Sequence, residues 1–271
     1  MSAFLLAAIS IQAQNSRVVR QKRVVPAFSA ITASGGWDLI IQQGSRQEVN
    51  IEINEDRLSE ARVEVRNGNL HIYSESKNRI FQINNRRNNV KRAYITVTDL
   101  NQLTTSGGVD VTFKTHINTN DFTLKMSGGS DVERLNLSCN RFSANFSGGC
   151  DAEISFARVG EVKAEISGGS DVNLYNISAN NCNISASGGC DMNLSGRTNN
   201  LTLNASGSSD INAKKLVAKN VTASFSGSSD AEIYADDFLD IRLSGSSDVD
   251  CYGNPQRITK QMDRSSSLTM R

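Results

Sequence analysis

Apolar side chains along the second half of this chain fall on every second position, in short bursts. Phe122, Leu124 and Met126 alternate with Thr123 and Lys125, and the pattern returns as Phe142, Ala144, Phe146 and as Val162, Ala164, Ile166. It continues through Cys182, Ile184, Ala186; Leu201, Leu203, Ala205; Val221, Ala223, Phe225; and Leu239, Ile241, Leu243. Successive side chains of a strand point to opposite faces, so each burst predicts a strand with one face buried and one wet. A shorter alternation follows each burst, as in Ala152 and Ile154, Val172 and Leu174, Met192 and Leu194, and Ala231 and Ile233.

Between the two alternations lies one recurring corner. Ser106-Gly107-Gly108-Val109-Asp110 returns at Ser127–Asp131, Ser147–Asp151, Ser167–Asp171 and Ser187–Asp191. With serine for the second glycine it returns again at Ser206–Asp210, Ser226–Asp230 and Ser244–Asp248; a separate early copy is Ser34-Gly35-Gly36-Trp37-Asp38. The eight tandem copies start 21, 20, 20, 20, 19, 20 and 18 residues apart. A single such unit cannot bury its own apolar face, whereas stacking units about 4.8 Å apart pairs every strand with the coils above and below. The expected fold is therefore all-β, a right-handed parallel β-helix (solenoid) of about 20-residue coils. Met126, Phe146, Ile166, Ala186, Ala205, Phe225 and Leu243 should form one inner column. A β-propeller needs about 40 residues per blade, so it would have to use two repeats for each.

The first third is less regular. Alternation over 28–43, 49–53, 61–65, 70–73 and 93–97 predicts longer coils of the same solenoid or a β-rich cap. Lys77 to Arg92 interrupts it with cations, many asparagines and no acid, which reads as an exposed basic insertion loop. The expected organisation is a signal peptide over 1–13, irregular β coils over 14–105 containing the loop 77–92, tandem β-helix repeats over 106–252, and a closing segment over 253–271.

Charge and cysteines narrow the function classes. A formal net charge of +1 argues against a dedicated nucleic-acid binder. The apolar run Phe4 to Ile11, ending at Ala13, resembles a secretory signal and is too short to span a bilayer. No later segment reads as transmembrane. Cys139, Cys150, Cys182, Cys190 and Cys251 are odd in number and show no zinc-type spacing. Cys150 and Cys190 hold the same slot two coils apart, about 10 Å by the strand spacing, beyond disulfide reach. Small packing residues are the simpler reading.

Three features together are similar to a known family, the auto-transporter adhesin head domains of the GIN type. They are the entry Val25-Pro26-Ala27-Phe28-Ser29-Ala30-Ile31 leading to Gly35-Gly36-Trp37-Asp38-Leu39; Gln43-Gly44 followed by Val49 and Ile51, then Asn67-Gly68, Leu70 and Ile72; and the tandem corners closing on Tyr252-Gly253-Asn254-Pro255. The resemblance covers most of the chain. It implies an exported β-helical protein of a Gram-negative bacterium, in the periplasm or on the cell surface, with a role in adhesion. It brings no catalytic residues. A C-terminal membrane barrel is missing from this sequence, which separates it from a self-transporting protein.

The repeated acid is the one candidate for chemistry. Asp38, Asp110, Asp131, Asp151, Asp171, Asp191, Asp210, Asp230 and Asp248 recur in every corner, whereas an active site occupies one place. Aspartate commonly accepts backbone N–H groups in turns, so these are expected to be structural turn residues. Stacked carboxylates repel, and calcium held by Asp131, Asp151, Asp171 and Asp191 is the alternative; the nine-residue calcium-solenoid motif is absent. Arg79, Arg86, Arg87, Lys91 and Arg92 are the candidate contact for a polyanion. No catalytic residue and no cofactor is expected. His71 and His116 read as incidental. The functional expectation is a non-enzymatic surface or periplasmic binding module for a glycan or protein, able to form oligomers. The alternatives are a polysaccharide-acting β-helix enzyme and a purely structural subunit.

Overall fold

The computed structural model describes residues 17–75 and 89–271. The signal segment 1–13 and the loop cations Lys77, Arg79, Arg86 and Arg87 lie outside the described residues.

The alternating segments are strands, and they stack in parallel into a β-solenoid. The strand Asp121–Ser127 pairs with Arg141–Gly148 directly above it, Phe122 beside Phe142 and Met126 beside Phe146. The same register carries Phe146 to Ile166, Ala186, Ala205, Phe225 and Leu243, so the inner column read from the sequence is the observed one. Parallel in-register stacking leaves equivalent side chains one strand spacing apart, which lets Phe122 and Phe142 lie face to face at 6.4 Å with Phe156 edge-on to Phe142. One continuous apolar core runs from Phe28 to Cys251.

The first third joins this stack and then departs from it. Strands β1 (Val18–Arg23), β2 (Ala30–Ser34), β3 (Asp38–Gln43), β4 (Glu48–Asn54), β5 (Ala61–Arg66), β6 (Asn69–Ser74), β7 (Lys91–Val97), β8 (Gln102–Ser106) and β9 (Asp110–Phe113) are formed in turn. The early corner joins β2 to β3, and this coil lies in register on β8 and β9, Ser34 on Ser106 and Asp38 on Asp110. On its other side β2 pairs with β6 and β3 with β7, also parallel. Beyond them the pairing turns antiparallel: β5 on β6, β4 on β7, and β1 on β4. The Asn67-Gly68 pair, both at positive φ, makes the β5–β6 hairpin turn, as that dipeptide favours. Lys91 and Arg92 therefore belong to a paired strand and not to a solvated loop, because the alternation of Ala93, Ile95 and Val97 extends two residues back.

The last coil is formed by Arg257–Met262 and Ser267–Met270. Its inward positions Ile258, Lys260 and Met262 continue the buried Leu239, Ile241 and Leu243, yet all three are exposed since no coil lies beyond them among the described residues. A lysine at a core position of an edge strand discourages further pairing, and Lys260 occupies such a position.

Candidate functional site

Each corner turns on one glycine. Gly148, Gly168, Gly188, Gly207, Gly227 and Gly245 all have φ between +77 and +103, a region open to glycine and costly for other residues. The second corner position has positive φ at Gly36, Gly108 and Gly129 but not at Gly149, Gly169 or Gly189. That change of backbone explains why later coils carry Ser208, Ser228 and Ser246 there.

The residue before each aspartate points into the core and closes the corner. Ser130, Ser170, Ser209, Ser229 and Ser247 are fully buried polar side chains. The Ser209 hydroxyl donates to the carbonyls of Ser206 (3.3 Å) and, one coil away, Gly188 (3.2 Å). Ser170 bonds to Ser167 and Gly148 in the same way, and its oxygen accepts the Cys150 N–H. Cys150 and Cys190 fill the slot isosterically, their thiols donating to Ser147 and Ser187. All five cysteines are free and buried. Burial pushes the Cys182 thiol up to about 12 and those of Cys139 and Cys251 to about 11, which suppresses the nucleophilic thiolate.

The aspartates stand on the opposite face. Each begins the strand after the corner, so alternation that buries the next residue turns the carboxylate outward. Asp38, Asp110, Asp131, Asp151, Asp171, Asp191, Asp210, Asp230 and Asp248 form one in-register line along the solenoid. Each end meets a partner from a neighbouring coil. Arg92 of β7 is in register with Asp38 and pairs with it at 3.4 Å, and Ser267 of the last coil donates to Asp248 at 2.7 Å. Between them, Asp131 accepts the Asp151 N–H at 3.3 Å, while Asp171 stands among carboxylates, with no hydrogen-bond donor to it among the described residues. Where the buried slot holds a serine or cysteine, that side chain bonds the carbonyl of the corner's leading serine; Trp37 and Val109 occupy the slot in the first two corners. Loss of solvation, and then the charges of Asp151 and Asp191, hold Asp171 above the ordinary aspartate range; Asp110 is raised likewise, beside Asp131 and Asp38.

Two shallow grooves run along the coils, one on each side of the corner. The acidic one, about 520 Å³, follows the aspartates from Asp191 to Asp248 and includes Asn193, Asn212, Glu232 and Asp250. Lys214 and the Tyr252 hydroxyl both engage Glu232, and Arg271 pairs with Asp250 at 2.9 Å. The other, about 500 Å³, is lined largely by serines and asparagines of the strands before the corner, among them Asn145, Ser185, Asn204 and Ser224. Among the described residues no three His, Cys, Asp or Glu side chains converge as a metal site. In-register stacking spreads the carboxylates along a line instead of around a point. Of the candidate polyanion contacts, Arg79, Arg86 and Arg87 lie outside the described residues. Lys91 donates to the Gly35 carbonyl at 2.9 Å and Arg92 bridges Asp38 and Glu52. Both are thus engaged within the fold.

The stacked coils and their corner column define the class: a parallel β-solenoid repeat protein with lateral grooves. The family model described as "Putative auto-transporter adhesin, head GIN domain" matches residues 27–194 and 177–255, and the chain belongs to that family. No curated protein matches. A solved structure from Parabacteroides distasonis titled a putative lipid binding protein is similar at 18% identity and a TM-score of 0.67, over 95% of this chain and 98% of that one. A putative adhesin from Parabacteroides merdae is similar at 14% identity and 0.68, over 95% and 97%. A putative adhesin from Bacteroides fragilis is similar at 17% identity and 0.51, over 94% and 97%. Likeness at these identities concerns the fold. No helix among the described residues is long and apolar enough to cross a membrane.

Proposed function

We propose that this protein is an exported, non-enzymatic binding module of the periplasm or cell surface, acting in adhesion through the sides of its solenoid. The observation that carries the reading is the pair of lateral grooves built from equivalent positions of successive coils. A surface that repeats at every coil suits an extended, repeating ligand, since each added contact uses the same geometry. Repetition also favours binding over catalysis, because no coil holds an acid or base that its neighbours lack in the Asp line. Membership of the adhesin head family and the adhesin titles of similar solved structures support the same reading. Binding of the chain to an array of bacterial and host glycans and to immobilised matrix proteins tests it. Retention on one class is expected, and an array blank throughout overturns it.

A further inference from the structure

We propose that the uncharged side of coils 181–224 is a binding face for an extended, neutral polysaccharide. This assignment rests on the binding-module reading above and names the site and ligand class for it. Nine outward positions of three consecutive strands are Asn181, Asn183, Ser185; Asn200, Thr202, Asn204; and Asn220, Thr222, Ser224. Not one is charged and not one is a large apolar residue. The strands on either side differ: Lys163 pairs with Glu165 at 2.8 Å in the preceding coil, and Asp240 with Arg242 in the following one. The patch is thus a neutral stretch between charged ones, with Glu165, paired to Lys163, at the edge of its groove, and it gives a charged polymer little counter-charge and an apolar surface nothing to bury against.

What the patch does offer is hydrogen-bond donors and acceptors held in place. Asn200 donates to the Asn181 carbonyl oxygen and Asn220 to that of Asn200, each at 3.0 Å. Every amide in this ladder is fixed in orientation by its neighbours, yet keeps N–H and C=O capacity for a ligand. Preorganised groups lose little freedom on binding, which favours hydroxyl-rich ligands whose individual contacts are weak. The groove beside the ladder runs along the same strands and is lined mainly by serines and asparagines, with the buried Ile166, Ala186 and Ala205 behind them. The rungs repeat at about 4.8 Å, so an extended polymer lying along the solenoid meets equivalent groups coil after coil.

The test is affinity electrophoresis of the full chain in gels containing glucomannan or hydroxyethylcellulose, both neutral and β-1,4-linked, with polygalacturonate as the anionic comparison. Retardation by at least one neutral polymer is expected. The double variant Asn183→Asp with Asn204→Asp, near-isosteric changes at exposed positions, should weaken it at least tenfold. Thr222→Lys is a second, independent change with the same expectation should the first lower the melting temperature. Lys114→Gln, at an exposed position outside both grooves, should leave retardation unchanged. No retardation by either neutral polymer, or full retention in both amide-face variants, overturns the assignment. Binding to polygalacturonate or a matrix protein instead would sink this site while leaving the binding-module reading intact; binding to nothing at all sinks both.

Discussion

The corner at Ser34–Asp38 and the corner at Ser187–Asp191 share a motif but not a neighbourhood. At the second, a Cβ on Gly188 would lie 2.5 Å from the Gly168 carbonyl oxygen; at the first, a Cβ on Gly35 would meet nothing within 4 Å. Trp37 fills the inward slot early on, buried and donating its indole N–H to Ser74, where the tandem coil has Cys190. Asp38 has a cation in register and Asp171, two coils before Asp210, has carboxylates on both sides. The same five-residue motif is thus a local turn at one end of the molecule and a link in a stack within it. Its tolerance of change is set by what lies above and below.

The largest expected effect tests that difference directly. Gly188→Ala meets both positive φ and rigid backbone, and should cost about 3 kcal/mol or more, whereas Gly35→Ala pays chiefly the φ term, about 1–2 kcal/mol. Urea unfolding of the two variants measures this, and equal losses would show that the stack adds nothing to the corner.

Next comes the buried hydroxyl. Ser209→Ala removes the hydroxyl bonds to the Gly188 and Ser206 carbonyls, while Gly188 keeps its bond from the Ser208 N–H, and should cost about 1 kcal/mol. Cys190→Ser, which restores the residue found in most coils, should lie within about 0.5 kcal/mol of the parent. A Cys190→Ser loss as large as that of Ser209→Ala would refute the isosteric slot.

The acidic line should respond with smaller effects, of opposite sign at its first member and in its interior. Asp38→Asn gives up an exposed pair with Arg92 and should cost about 0.5 kcal/mol. Asp171→Asn removes a repelled charge and should be neutral or slightly stabilising. Acid should act in the same direction. The folded protein holds the Asp110 and Asp171 protons more tightly than the unfolded chain does, since their folded pKa values are raised. Stability from these groups is therefore gained as pH falls from neutral through the folded values, and the gain is complete below the unfolded value of about 4. Asp263, held low by its bonds from Ser266 and the Gly245 N–H, works the other way, and its contribution is lost only as pH falls through its depressed folded value. Glu232, held low by Lys214 and Tyr252, works in the same sense as Asp263. The contribution of the raised pair is therefore read by difference: from pH 7 into mild acid the melting temperature of the parent should improve relative to that of an Asp110→Asn, Asp171→Asn double variant, and a difference that stays constant with pH would refute it.

The smallest expected effect is that of a chelator. Carboxylates strung along a line need no ion to complete their fold, so melting with and without EDTA should coincide. A fall of many degrees, reversed by calcium, would instead make calcium part of the structure.

Much of this architecture can be read from the chain because its strongest signals are local. Period-two alternation assigned the inward face, and a near-constant repeat set the register of Met126, Phe146, Ile166 and their successors. What could not be read depended on partners far away in sequence. The antiparallel pairing of β1, β4 and β5 leaves the same alternation as a parallel coil would. The sequence alone assigns no role to Ser170 or Ser209 before their aspartates, since only their position in the core shows that the hydroxyl bridges two coils. The last corner, Asp263 to Ser267, has lost both its leading serine and its glycine, and it is recognisable only by Ser266 in the buried slot and Asp263 accepting the Gly245 N–H at 2.7 Å. The neutral groove is likewise a product of register: asparagines 19 or 20 residues apart become neighbours only when the coils stack.

The two ends of the acidic line have a consequence for how such a protein changes length. Arg92 and Ser267 each terminate the column from a coil of their own, and Lys260 guards the far edge, so none of these devices depends on how many coils lie between. An in-frame duplication of about 20 residues anywhere from Asp131 to Asp230 would insert one rung, one carboxylate and about 4.8 Å of groove while leaving both terminators untouched. Reach is then a heritable quantity that recombination between near-identical segments can alter in whole steps, with no intermediate that must fold differently.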